Sequence, residues 1–309
     1  MGEDVSVGFA LPGALALDGG RALRLLERVV DAGFAPVMMT EVCGLSGPSL
    51  AAALAARRPG TRLGTSIVPL GSRSEAALAM EAATAAQISG APFLLGVGTS
   101  SRQIVENWYG QAHDPTLTTT RERIRTLRHI LDGRRRGSFR VPVPVGDQVR
   151  VLLAALGPRM AALAVDAADG VILNHTPPSA VRATVPAARE GTTVLAFCWV
   201  SACDDGERRV RRELVSYVMA APYARHYTRM GFGDVVERVR ALHADGRLRE
   251  APEALPQAMV DTFYVTEEAL PERLRAYRDN GATPLVLPVT GDRPADQIAT
   301  FLDRRPWER

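Results

Sequence analysis

The sequence predicts a parallel (β/α)8 barrel. Eight short apolar runs alternate with helical stretches along the chain, the order expected of an α/β protein. The runs are apolar nearly throughout rather than alternating, as strands covered on both faces should be. The length, 309 residues, suits one such barrel. A hydrophobic fraction of 46% is ordinary for a globular chain. A doubly wound sheet is the alternative, but it has no need of eight regular units.

The first strand is "VSVGFALP", residues 5–12. In the helix that follows, Leu23, Leu26, Val29 and Val30 recur at helical spacing, and Gly33 marks its end. "PVMMTE" is the second strand, and "GPSLAAALAARR" is a helix with Ser46 as candidate cap. "TRLGTSIVPL" is the third strand, and its helix ends at Gly90. "PFLLGVG" is the fourth. An insertion follows it, with a helix at about 119–132 and a hinge-like stretch "RRRGSFRVPVPVGDQ". "RVLLAAL" and "GVILNH" are the fifth and sixth strands, each followed by a helix, and "TTVLAFCWVSA" is the seventh. A long, mostly helical insertion runs to about residue 280 before the eighth strand, "TPLVLPVT", and a closing helix. No repeat or linker divides the chain, so a single domain over 1–309 is expected.

Composition removes several function classes. A net charge of +3 leaves no nucleic-acid footprint unless the charge is clustered. Arg134–Arg136 reads as a loop. The arginines of 208–212 lie among Asp204, Asp205, Glu207 and Glu213 and read as a solvated helix face. Cys43, Cys198 and Cys203 form neither a disulfide framework nor a zinc site, and Cys198 reads as core. There is no signal-peptide pattern and no membrane-length apolar run, so a cytoplasmic protein is expected. No metal site, phosphate-loop or nucleophile-elbow motif occurs. A borrowed cofactor is then the natural source of chemistry.

In a parallel barrel the working residues lie at the carboxyl ends of the strands. Those ends carry Leu11-Pro12-Gly13, Thr40-Glu41, Ser66-Ile67-Val68, Gly98-Thr99-Ser100, Ala155-Leu156-Gly157 and Asn174-His175-Thr176. Small and polar residues dominate, which suits a large flat ligand. "LGPRM" offers an anion site. Gly157 ends a strand, Pro158 opens a helix whose first N–H groups are free, and Arg159 adds charge. An ordinary strand–helix junction reads the same way. Glu41 is a candidate acid or a cap, His175 a proton donor or a structural histidine. Trp108 and Tyr109 either line a substrate pocket or pack a loop.

Several segments together resemble the bacterial luciferase-like superfamily, and within it the branch that uses the deazaflavin coenzyme F420. These are "LGTSIVPL", "AATAAQISG", "FLLGVGTSSRQIVENWYG", "ERIRTLRHILDG" and "LAALGPRMAALAVDAADGVILNHTPP". The resemblance covers roughly residues 5–190 and fades over 200–280. It implies a bulge with a non-prolyl cis peptide at Ser66-Ile67, behind the cofactor ring. Gly157, Pro158 and Arg159 would meet the phosphate. Gly98, Thr99 and Ser100 would lie by the ring or its side chain, with Gly96 and Gly98 allowing close approach. Pro12, Glu41, Leu156 and Asn174 complete the cofactor set. Ser101 stands where relatives often carry histidine, Gln103 where they carry proline, and Arg73-Ser74-Glu75 replaces an R-H-P turn.

The expected activity is hydride transfer from reduced coenzyme F420 to an activated C=C or C=N bond of a small molecule. His175 is the first choice of proton donor, with Glu41 or solvent next; Ser101, Trp108 and Tyr109 would face the substrate. An FMN-dependent monooxygenase is the first alternative and a non-catalytic cofactor-binding barrel the second. The resemblance implies a homodimer, with no nucleic-acid or membrane partner.

Overall fold

A computed structural model describes residues 7–308, other than 14, 16, 144, 187, 189 and 204. Asp204 and the first two residues of the expected opening strand therefore lie outside the described residues. The strands are β1 (Gly8–Leu11), β2 (Val37–Met39), β3 (Leu63–Pro69), β4 (Phe93–Gly98), β5 (Val149–Ala155), β6 (Gly170–Leu173), β7 (Thr193–Ser201), β8 (Tyr264–Val265) and β9 (Thr283–Val289). All pairings between them are parallel. They run β1 to β7 in sequence order, then β9, which returns to β1 and closes the barrel. β8 stands outside the ring and pairs only with the top of β7, at Trp199 and Val200. Two residues are too few to leave a periodic signal, so sequence reasoning passed over it.

Helices α1 (Gly19–Asp31), α2 (Gly47–Arg57), α3 (Glu75–Ser89), α4 (Leu117–Leu131), α5 (Pro158–Ala167) and α6 (Pro178–Thr184) cover the first six strands. The end signals read from sequence hold. Ser46 accepts from Ser49 N, and Gly33 and Gly90 take φ of 88° and 69° after their helices, a conformation that glycine adopts without a Cβ clash. After β7 come α7 (Gly206–Met219), α8 (Ala221–Tyr227), a π-helical turn over Thr228–Phe232, α9 (Gly233–Ala244) and α10 (Gln257–Phe263). The helices α11 (Leu270–Asp279) and α12 (Pro294–Arg304) flank β9. No helix is long and apolar enough to cross a membrane among the described residues.

Strand residues alternate between two cores, because successive side chains leave a strand on opposite sides. Phe9, Val37, Leu63, Leu95, Leu153, Leu173 and Val286 face the helices. Ala10, Met38, Leu94, Leu152, Ile172, Leu195 and Leu285 fill the barrel. That inner core runs on upward through Phe197 and Trp199 into α7–α10, so the second insertion roofs part of the mouth. Arg211 holds this roof together. It donates to the carbonyls of Pro252 (3.3 Å) and Leu255 (2.6 Å), with only 18% of its side chain exposed. The arginine run of α7 is therefore not wholly a solvated face.

Gly96 serves the barrel rather than a ligand. A Cβ there would lie 2.0 Å from Thr65 O and 2.6 Å from Ile172 Cδ1. Thr65 Oγ1 donates to Gly96 O at 2.8 Å, drawing β3 and β4 together below the mouth. Gly96→Ala is expected to cost about 1–3 kcal/mol through overpacking. Gly19→Ala, which meets nothing within 4 Å, should change stability by less than about 0.5 kcal/mol. Urea unfolding of the two variants beside the parent checks the contrast.

Candidate active site

Two of the three non-glycine residues with positive φ among the described residues lie at strand ends, Ser100 (φ 58°) after β4 and His175 (φ 48°) after β6. Left-handed backbone at residues that carry a Cβ is uncommon and gathers where function over-determines the fold. The Ser66–Ile67 peptide is cis, and the β3–β4 register shifts between Thr65 and Val68. Ile67 is partly exposed, and its Cδ1 would sit 3.3 Å from a Cβ at Gly98, with Ala154 Cβ 3.2 Å away on the other side. These three residues, from β3, β4 and β5, lie close together at the mouth.

At the start of α5, Gly157 is extended and no side chain caps the helix, so the first-turn N–H groups stay free beside Pro158. Arg159 is exposed there, and no ion pair with a carboxylate is found for it among the described residues. Arg229, from the π-helical turn, reaches the same place. Its Nη2 donates to Leu156 O at 2.9 Å and would stand 2.8 Å from a Cβ on Gly157. Sequence reasoning missed Arg229, which falls where the resemblance fades and sits in no motif. A glycine that leaves room for a guanidinium, an uncapped helix N-terminus and two arginines thus lie together, a chemistry that suits an anion.

Asn174 follows β6, the neighbour of β5. Its Oδ1 accepts from His175 N (2.9 Å) and Trp199 Nε1 (2.8 Å), and its Nδ2 donates to Tyr223 Oη (2.8 Å). His175 turns inward and is 1% exposed. The rings of Trp199, Tyr217, Tyr223, Tyr227, Phe263 and Tyr264 surround it at centroid distances of 4.4–5.8 Å. Its Nδ1 shares a hydrogen bond with Tyr227 Oη (2.7 Å), and its carbonyl accepts from His226 Nε2 (2.6 Å). Burial, with the neighbouring His226 adding to it, pushes the His175 imidazole well below the usual histidine range. Burial also lowers His226.

Glu41 is 7% exposed and already engaged. Its Oε2 accepts from Gly47 N (2.9 Å) and Arg73 Nη2 (3.1 Å), and Arg73 also pairs with Glu81. Burial would lower the Arg73 guanidinium, but Glu41 and Glu81 outweigh it and raise it. Thus the Arg73-Ser74-Glu75 turn holds an ion pair at Arg73 and the cap of α3 at Ser74. Ser101 Oγ accepts from Ile104 N (3.3 Å), starting the next turn. Trp108 is 49% exposed, and Tyr109 Oη donates to Val42 O (3.3 Å), packing the loop after β4 onto that after β2. Pro12 and Thr99 lie half-buried at their strand ends. A separate cleft of about 810 Å³, lined in part by Cys203, Gln257, Arg273 and Arg293, includes no residue of β3–β6.

Fold and site define a (β/α)8-barrel enzyme whose working end is partly roofed by its second insertion. The chain belongs to the luciferase-like monooxygenase family, whose sequence pattern matches residues 9–284. It is 28% identical to a Mycobacterium tuberculosis protein named as the coenzyme F420-dependent oxidoreductase Rv3520c, over 90% of this chain and 93% of the relative. Among solved structures, the coenzyme F420-dependent tetrahydromethanopterin reductase from Methanopyrus kandleri aligns with a TM-score of 0.73 at 18% identity, covering 97% of this chain and 98% of that one. An F420-dependent secondary alcohol dehydrogenase, in complex with an F420–acetone adduct, gives 0.68 at 13%, over 98% and 99%. At these identities the two structures speak to the fold.

Both buried histidines should make stability depend on pH. Their folded-state affinity for protons is depressed, so below about pH 6.5 the unfolded chain binds protons that the folded chain does not. Stability is present above that pH and lost as pH falls below it, by up to about 1.4 kcal/mol per unit for each histidine. Denaturant unfolding at pH 7.5 and 5.5 checks this; in His175→Phe the difference should fall to roughly half.

Proposed function

We propose that the protein is a coenzyme F420-dependent oxidoreductase that transfers a hydride to an activated C=C or C=N bond of a small molecule. The observation that carries this is the cradle of Gly157, Pro158, Arg159 and Arg229, whose chemistry suits an anion, at the rim of a mouth where Ile67, Gly98 and Ala154 lie close together. The relative's name adds support for the deazaflavin. The residues fit a flat ring system carrying a single phosphate near its chain. When bound, the reduced deazaflavin supplies a hydride from its central ring.

The chain's own residues do the rest. Ile67 and Gly98 would bound the ring's space, with Ser100 and Thr99 beside it. Leu156, Gly157, Pro158, Arg159 and Arg229 would hold the phosphate. Asn174 fixes polar groups at the end of β6. Met219, Met230 and Phe232, partly buried against the inner core, keep water from the mouth. His175 is enclosed by rings and neutral, so its part is to set the wall rather than to meet a substrate. Glu41, tied to Gly47 and Arg73, braces the loop after β2 beside Pro12 and Ser66. Ser101, Trp108 and Tyr109 belong to the outer edge, where a larger substrate would reach.

An FMN-dependent monooxygenase is the second reading, because the family includes monooxygenases and the cradle suits any single phosphate. Titration of the protein with coenzyme F420 and with FMN, followed by fluorescence, separates the readings. Tighter deazaflavin binding, with negligible oxygen consumption by the reduced complex, is expected. Tighter FMN binding with rapid oxygen uptake would favour the second. Arg159→Gln should weaken the phosphate-bearing cofactor by about 10–100-fold, the worth of one charge-assisted hydrogen bond.

A further inference from the structure

The hydroxyl proton of Tyr223 has no acceptor among the described residues. Asn174 Oδ1 already receives two N–H groups, from His175 and Trp199, so the amide can be oriented only one way. Its Nδ2 therefore faces Tyr223, and the phenol oxygen is the acceptor of that bond. The proton on the same oxygen is left to be donated elsewhere. Tyr223 is half-buried, and, like Ile67, Met230 and Phe232, it packs against the inner core. Its ring lies 4.5 Å from that of Tyr217 and 5.6 Å from that of His175.

Resting on the oxidoreductase reading above, we propose that Tyr223 is the proton donor of the reaction and that the acceptor is an apolar, ring-bearing molecule seated against Tyr223, Met230 and Phe232. Hydride and its two electrons come from the reduced deazaflavin and form the new C–H bond, leaving the pair of the C=X bond on X. The Oη–H bond of Tyr223 breaks as X–H forms. The phenolate so made is stabilised by Asn174 Nδ2–H, and solvent returns its proton. The cofactor leaves oxidised after giving its ring N–H proton to solvent, which offsets the proton returned to Tyr223, so the charges balance.

Tyr223 suits this task better than the other candidates. His175 is 1% exposed with its Nδ1 taken by Tyr227 Oη, and both Glu41 oxygens face Arg73 or Gly47. Burial pushes the Tyr223 phenol up to about 12, against the pull of Asn174, so the donor stays protonated across the working range. An atom that has just received an electron pair from a C=X bond is basic enough to take a proton from such a group. Asn174 is the positioning residue.

The test uses the full-length protein with coenzyme F420, and menadione, cyclohex-2-enone and a cyclic imine as acceptors. In protein carrying 3-fluorotyrosine, the fluorine resonance absent from Tyr223→Phe should shift when the oxidised cofactor binds. Tyr223→Phe should bind the cofactor within about threefold of the parent and lose about 10²–10⁴ in kcat. Asn174→Leu should alter the pH profile of kcat in the same direction as Tyr223→Phe. A wild-type protein that binds neither coenzyme F420 nor FMN overturns the oxidoreductase reading and this proposal together. Normal cofactor binding with an unmoved resonance, with unchanged kcat in Tyr223→Phe, or with no acceptor reduced by the parent, overturns the proposal alone.

Discussion

The amide of Asn174 is the small set of contacts on which the working end depends. Its oxygen collects the N–H of the next residue and the indole N–H of β7, and its nitrogen reaches α8. Three elements distant in sequence are thereby set by one side chain at the end of β6. The chain turns left-handed at the next residue, His175, with φ of 48°. That turn places an imidazole among six rings, and their packing carries the insertion onto the barrel. An apolar group in place of the amide would leave Trp199 Nε1 without its acceptor, and an unpaired buried polar group costs about 1–3 kcal/mol.

Charge is handled differently on the two sides of the mouth. On the β2–β3 side, Glu41, Arg73 and Glu81 satisfy one another in a half-buried chain. Burial raises the Glu81 carboxyl, with Arg73 opposing it. Nearby, burial would raise Glu75, but Arg123 and Arg136 outweigh it and hold its carboxyl below the usual range. On the β5 side, Arg159 and Arg229 face a helix N-terminus instead of an acid. Positive potential therefore gathers on one edge of the opening.

Much of this was legible in the chain. Eight barrel strands, the helix caps at Ser46, Gly33 and Gly90, the buried Cys198 and the position of the cis peptide all follow from local patterns or from the resemblance. Such features are written in contiguous residues. The roof was not legible. Tyr223, His226, Tyr227 and Arg229 act at strand ends 49 to 73 positions away, through contacts that no periodicity encodes. Even the two glycines of "LLGVG" part company once packing is known. Gly98 borders the mouth, whereas Gly96 lets two strands touch.

Arg229 and Tyr223 belong to one short stretch of the insertion, six positions apart, and each holds a different strand end. Residues 223–229 thus tie the ends of β6 and β5 to the insertion through one short stretch. A change of length or sequence there would move both strand ends together.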